Sequence, residues 1–424
     1  VDGPEELTGN AVRVKPDEVD VGRLTDLDRD TAFRERTYYS WSLGFIQLHG
    51  LVYGLAALVV CAGLHPRGVR SGLRLAALGL AAFPLATFMF RMLPDGAELG
   101  DGAIWLVLLL DAAIAVGASR LRRTPLSPML AILGATLAVI LVDASSGTAL
   151  HVNSWLGYSL HGGGRFYGIP NTTYAVLAAA GLLVAATLVH YGRHRQEAVL
   201  AGGLLLALVA VIDGAPSLGG DVGGIVSLVP VFAVVVLALS ERRLRPRTLV
   251  LVGAATAVAL AIAIGIDLLR PPDARTHLGR WAADVADDGI GTVWDTFSRK
   301  QRANFRILRA SIWAWMLPIT VGFLGAVLWT RRRRDAILPP RSPIAIGVLG
   351  TVAGSVVGFL ANDSGPIVLG LFASVLLPVV LLLALDEPRP DEPPPDPAAP
   401  DPAAGREPGH ERALVEPEPV LSSR

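Results

Sequence analysis

The sequence predicts an all-α fold: a polytopic transmembrane helical bundle of about eleven spans, with its N-terminus outside and its C-terminus inside the cell. Three observations carry that expectation. Of 424 residues, 52% are hydrophobic and only 17% charged, whereas soluble domains carry about 25% charged residues. Long apolar runs recur along the chain without a polar face; from Leu249 to Ile266 the only polar side chain is Thr256. The connecting segments alternate between arginine-rich and acidic or neutral, although the formal net charge is zero.

Runs long enough to cross ~30 Å of hydrocarbon, about 20 helical residues each, lie near 42–64, 75–93, 103–119, 129–144, 172–190, 198–213, 225–240, 249–266, 312–330, 344–361 and 367–385. A soluble bundle would show polar faces at helical spacing, which these lack. Orientation follows from the arginines, because cytoplasmic loops concentrate positive charge. Arg67, Arg70 and Arg74, then Arg120, Arg122 and Arg123, then Arg193 and Arg195, then Arg242 to Arg247, then Arg331 to Arg334 fall in alternate connections. The intervening ones carry Asp95, Glu98 and Asp101, then Asp213 and Asp221, then Asn362 and Asp363. An odd span count gives the same sidedness.

Residues 1–40 read as an extracytoplasmic linker with an amphipathic stretch around Leu24 to Phe33, residues 41–386 as the membrane domain, and residues 387–424 as a Pro-rich acidic cytoplasmic tail too polar to fold. The chain opens on Val1 without a signal peptide, and is read as the C-terminal part of a longer protein. The external loop 268–311 breaks the charge rule, with Arg270, Arg275, Arg280, Arg299, Lys300, Arg302, Arg306 and Arg309. Long translocated segments tolerate such charge. Contact with anionic lipid headgroups accounts for it, as would binding of a phosphate or acidic glycan. The lone Cys61 excludes an internal disulfide and a thiol-rich metal site.

Three external span ends share a pattern: Val142-Asp143-Ala-Ser-Ser-Gly147, Ile212-Asp213-Gly-Ala-Pro-Ser217 and Asn362-Asp363-Ser-Gly365-Pro366. Asp, Ser, Gly and Pro are turn formers that terminate helices; three such strings on one face also suit a shared polar cavity. The segment from His151 to Tyr174, HVNSWLGYSLHGGGRFYGIPNTTY, is too long and too polar for a plain connector. Arg165 there offers a planar fork for phosphate or carboxylate. Tyr167 and Trp155 suit stacking on a sugar or an interfacial belt, and Asn171 adds an amide. In Ser217-Leu-Gly-Gly-Asp221-Val-Gly-Gly224, glycine pairs flank an acid that serves as an N-cap, a metal ligand or a general base, within a turn suited to a re-entrant segment. His277 in Thr276-His-Leu-Gly-Arg280-Trp281 is a candidate proton carrier, beside Arg280. Asp111 stands within a span, where an ionisable group is a functional candidate; Arg91 is its expected partner. Gly350, Gly354 and Gly358 form a small-residue packing ridge. No Walker A, GxSxG, HExxH or CxxC string occurs.

At RFYGIPNTTYA (Arg165 to Ala175), IDGAPSLGGDVGG (Ile212 to Gly224) and RPPDARTHLGRW (Arg270 to Trp281), the sequence resembles an uncharacterised family of actinobacterial multi-pass membrane proteins. Members carry an extracytoplasmic alkaline-phosphatase-like domain upstream, so the resemblance implies an external N-terminal side and brings no site residue or cofactor to this chain. A fainter similarity is to O-antigen ligases and polymerases, whose Arg-x-x-Gly-x-x-x-Asn pattern looks like Arg165-Phe-Tyr-Gly168-Ile-Pro-Asn171 with one residue fewer before the Asn. The later histidine signature of those ligases is not evident after Trp281.

Three functions remain open from the residues. One is an envelope enzyme acting on a polyprenyl-phosphate-linked or other anionic glycan, with Asp143, Asp221 and His277 as acid or base and Arg165, Tyr167, Asn171, Asp213, Arg280 and Asp363 binding substrate. Another is a transporter or flippase, with Asp111, Asp143, Asp213 and Asp221 lining a path. The last is a non-catalytic membrane platform for an external domain. The bilayer is the expected partner in each, and no nucleic acid is.

Overall fold

A computed structural model of the chain describes residues 20–386 except 64–65, 94–95, 122, 162–167, 216, 244, 272–274, 276 and 363. The described residues form fourteen α-helices and no strand. In chain order these are α1 (Val21–Cys61), α2 (Arg67–Phe90), α3 (Ala103–Ser119), α4 (Ser127–Ser145), α5 (Asn171–Tyr191), α6 (Arg195–Gly214), α7 (Val222–Leu239), α8 (Pro246–Leu268), α9 (His277–Asp288), α10 (Gly291–Ala310), α11 (Met316–Leu328), α12 (Arg331–Ile337), α13 (Pro343–Ala361) and α14 (Gly365–Asp386).

Nine of these helices are long and apolar enough to cross a bilayer: α1 to α6, α8, α13 and α14, with α3 extended by the 3-10 segment Gly96–Gly102. That makes the chain a multi-pass membrane protein. Two further apolar stretches fall short of the length test. One is α7, whose apolar part runs Gly223–Leu239; the other is α11 with its 3-10 lead Ile312–Trp315, which breaks from α10 at 76°.

Burial orders the bundle. In α5 and α14, 89% and 83% of the apolar window is buried, so both sit at the centre, whereas α8, at 6%, lies on the rim. Small residues set the central packing. Along α13, Gly350 faces Val235 of α7, Gly354 faces the Phe372 ring of α14, and Gly358 stands against the Tyr174 hydroxyl of α5. The glycine ridge read from the sequence is thus the wedge on which three helices close.

Contacts across the connections define two ends. At the arginine-rich end, Arg74 pairs with Asp386 at 2.8 Å, Arg195 with Glu241 at 3.1 Å, and Cys61 Sγ approaches Ala326 O at 3.4 Å. At the acidic end, α1 begins at Val21, well before the apolar run that starts near 42, so residues 21–40 are helix packed on the bundle and not a linker. At ~1.5 Å per residue, the 41 residues of α1 run about 60 Å, twice the thickness of the hydrocarbon. The sequence showed this only as the amphipathic stretch around Leu24 to Phe33, because Thr31, Phe33 and Thr37, the buried face of the N-terminal half, sit among many charges. The basic loop 268–311 likewise resolves into two amphipathic helices, α9 and α10. The expected tail, 387–424, and residues 1–19 lie outside the described residues.

Candidate functional site at the acidic end

Of the helices whose C-terminal ends lie at the acidic end, α4, α6 and α8 carry an Asp in or near the last turn, an arrangement the helix dipole opposes. The structure supplies compensation from the segment that follows. Asp143, in the last turn of α4, is buried and accepts the backbone N–H of Leu150 at 2.9 Å and of His151 at 3.1 Å. His151 Nδ1 meets the same carboxylate. Asp267, in the last turn of α8, is fully buried and accepts the Gly279 N–H of α9 at 2.8 Å. An added Cβ on Gly279 would stand 2.6 Å from Asp267 Oδ2, so glycine is what lets the carboxylate reach the amide. Asp213, near the end of α6 and also fully buried, takes the space that a side chain at Gly224 of α7 would need, and its carbonyl accepts the Asp221 N–H at 2.9 Å. Asp143 and Asp267 therefore hold the next stretch of backbone with their carboxylates, and Asp213 does so with its main-chain carbonyl. This is the helix-terminating role, carried further than a surface turn would need.

The loop after Asp143 is the densest part of this end. Thr148 and Asn153 adopt positive φ, 62° and 56°, which folds residues 148–158 back on themselves. Trp155 is buried among Phe45, Phe83 and Trp313, with ring centroids 5.2, 5.0 and 5.8 Å away, and its Nε1 donates to Ser42 Oγ at 3.0 Å. It is a core anchor and does not face outward to meet a sugar. The N-terminal half of α1 braces the same loop. Asn153 Nδ2 donates to Thr31 Oγ1 at 2.8 Å, and Arg34 donates to Gly157 O at 3.2 Å while lying 4.5 Å over the Tyr38 ring. Asp30 pairs with Arg91 at 2.9 Å, Arg29 with Glu98 at 3.1 Å, and Asp28 with His161 at 2.9 Å. Arg91 is therefore the partner of Asp30 and not of Asp111. The reason is geometric: Arg91 caps α2 at the acidic end, whereas Asp111 sits halfway along α3.

A second polar cluster lies where α5, α6, α7 and α13 meet. Asp221 precedes α7 as its N-cap residue, and Asn362 follows α13. An added Cβ on Gly223 would stand 2.5 Å from Asn362 Oδ1 and 3.3 Å from Asp221 Oδ1, so both side chains converge on the first turn of α7. One turn on, Ser227 Oγ lies 2.5 Å from the Tyr174 hydroxyl. Asp221, Asn362, Ser227 and Tyr174 are all buried. The turn 217–221 packs against the start of α5: Ile169 N–H donates to Gly219 O at 2.9 Å, and Gly168, at φ 80°, passes too close to that carbonyl for any side chain. The SLGGDVGG string thus forms a buried turn that leads through Asp221 into the first turn of α7.

Helix α10 closes over the turn between α13 and α14. Asn304, fully buried, donates to Phe359 O and Asn362 O, both at 2.9 Å, and accepts the Gly365 N–H at 2.8 Å. Lys300 Nζ donates to Ala361 O at 2.9 Å, and Gln301 Nε2 to Leu360 O at 3.0 Å.

Of the candidate residues, Asp143, Asp213 and Asp221 fall where these clusters are built. Asn171 opens α5 half-buried, and Arg280 lies half-buried on α9. Arg165, Tyr167 and Asp363 lie outside the described residues, as does the side chain of His277, whose backbone opens α9. Among the described residues, no group of three or more His, Cys, Asp or Glu is placed to hold a metal ion. Sequence reading missed Asp267, His151 and Asn304. For Asp267 a signal existed: Ile266-Asp267 with Gly279 repeats the Ile212-Asp213 with Gly224 arrangement.

The fold and these clusters define a multi-pass membrane protein with an ordered, heavily cross-braced acidic end. No protein-family model, curated protein or solved structure matches the chain.

Proposed function

We propose that the chain is a plasma-membrane protein of eleven spans that serves as a non-catalytic platform, holding an external segment at a fixed position on the outer surface. The nine long helices, α7 and the 312–328 stretch supply the spans, and the arginine-rich end faces the cytoplasm by the positive-inside rule. The observation that carries the platform reading is the bracing of the outer half of α1. Residues 28 to 34 are tied at Asp28, Arg29, Asp30, Thr31 and Arg34 to three separate outer segments. Exposed ion pairs contribute little singly, but a network with buried members fixes direction. The commitment of Asp143 and Asp267 to backbone amides points the same way, because a carboxylate so engaged is poorly placed to exchange protons with a substrate.

The test is the distance distribution between spin labels at Leu24→Cys and Leu99→Cys, both exposed, in a Cys61→Ser background. A narrow distribution that broadens in Asp30→Ala and Arg34→Ala supports the platform; a broad one in the parent overturns it. Sidedness is read separately from Cys61, the only cysteine of the chain, which is exposed at the arginine-rich end of α1. A membrane-impermeant maleimide should label it in inverted vesicles and not in intact cells.

A second reading, action on a lipid-linked or other anionic glycan, is favoured by one observation. Asp221 and Asn362 converge at the first turn of α7, and the basic helix α10 clasps the backbone beside Asn362. Loss of an envelope glycan in Asp221→Asn, at normal expression, would replace the platform with this reading.

A further inference from the structure

A groove of about 860 Å³ runs between α1, α2 and α3, within the size range of small-molecule sites. Its floor is aromatic and apolar, with Trp41, Phe45 and Phe83. Leu48, Leu75 and Leu108 on its walls are each more than a third exposed, so the groove opens sideways onto what the apolar surface of the bundle marks as lipid. Asp111 projects into it halfway along α3. Gly79 of α2 makes the room: an added Cβ there would stand 3.2 Å from Asp111 Oδ2. Asp111 Oδ1 is buried without a hydrogen-bond partner among the described residues, and Arg91, the cation expected to pair with it, is taken by Asp30. Arg36 and Asp101 line the groove as well, and their charges offset, which leaves Asp111 as its net charge.

We propose that this groove binds a membrane-soluble organic cation, with the positive charge against Asp111 and the apolar body on the aromatic floor. A carboxylate surrounded by hydrocarbon is costly without a counter-charge. The occupant must arrive through lipid, since the opening faces that way. Aromatic faces add attraction for a delocalised or quaternary cation. A phospholipid acyl chain would fill the volume and leave Asp111 without a partner.

The experiment measures equilibrium binding of radiolabelled tetraphenylphosphonium to the chain in phosphatidylcholine nanodiscs. Saturable binding is expected, weakened at least about tenfold in Asp111→Asn, since removing one member of a desolvated charge pair costs several-fold to many-fold in affinity. Gly44 lines the groove and faces open space, so Gly44→Phe should fill the groove and weaken binding with Asp111 intact. Tetraphenylborate, of the same shape and opposite charge, should not compete with the wild type. Absence of saturable binding to the wild type, undiminished binding to a folded Asp111→Asn, or equal competition by tetraphenylborate would each overturn the proposal. The borate comparison uses only the unaltered chain, so it decides the matter even where a variant fails to fold.

Discussion

The pairing of Asp267 with Gly279 makes a quantitative prediction. Asp267→Ala removes the acceptor of a buried N–H at the start of α9. Leaving such a donor unsatisfied costs about 1–3 kcal/mol, and the charge lost beside the N-terminus of α9 is offset by its removal from the C-terminus of α8, so about 1–3 kcal/mol is expected. Gly279→Ala places a methyl 2.6 Å from Oδ2 and 3.1 Å from Cγ of Asp267, too close for either atom. The carboxylate must retreat and stretch its 2.8 Å hydrogen bond. Overpacking of this kind costs about 1–3 kcal/mol, offset by up to ~1 kcal/mol of helix propensity; the net is about 1–2 kcal/mol. In the double variant the methyl enters the space the carboxylate left, so the steric part vanishes. The two losses should then fall short of additivity by about 1–2 kcal/mol, within the usual range for touching residues. Reversible unfolding in mixed micelles, titrated with sodium dodecyl sulfate, measures all three variants. Additive losses, or a Gly279→Ala variant as stable as the parent, would refute the steric account.

Two other substitutions follow from the same physics. Asp143→Asn keeps one acceptor but turns an amide NH₂ toward groups that donate to Asp143, so it should destabilise the protein by about 2–4 kcal/mol and open residues 146–161 to proteolysis; a variant with parental stability and cleavage pattern would count against the loop-holding role. Asn304→Ala removes two donors and one acceptor from the turn between α13 and α14, a loss of about 2–3 kcal/mol in the same titration. Asn304→Asp keeps the acceptor for the Gly365 N–H but turns a carboxylate oxygen toward the Phe359 and Asn362 carbonyls in a fully buried site, so it should be at least as destabilising as Asn304→Ala; a variant as stable as the parent would argue that the clasp does not bear on stability.

The membrane fold was legible because hydropathy reports directly on what the bilayer demands. Every apolar run found in the sequence carries a helix, and the small-residue ridge of α13 packs as its spacing implies. The N-terminal half of α1 was legible only as an amphipathic stretch around Leu24 to Phe33: its buried face is one-sided and thinly apolar, and what holds it, Asp30 to Arg91 or Asn153 to Thr31, joins residues far apart in the chain. The polar clusters were half legible. Asp143, Asp213 and Asp221 stood out as acids at span ends, but residue type does not say whether a carboxylate meets water, a substrate or a backbone amide. Asn304 lies among the basic residues of α10 and gains its role only from the fold that brings Phe359 and Gly365 to it.

The Asp-to-amide contacts are also short in sequence: Asp143 reaches residues 150 and 151, and Asp267 reaches residue 279. A contact that close needs little loop closure and no distant partner, so it is available while later parts of the chain are still on the ribosome. The two turns they hold need only their own flanking segments to close. The clasp of α10 differs in this respect, since Asn304 reaches Phe359 and Asn362 across more than fifty residues.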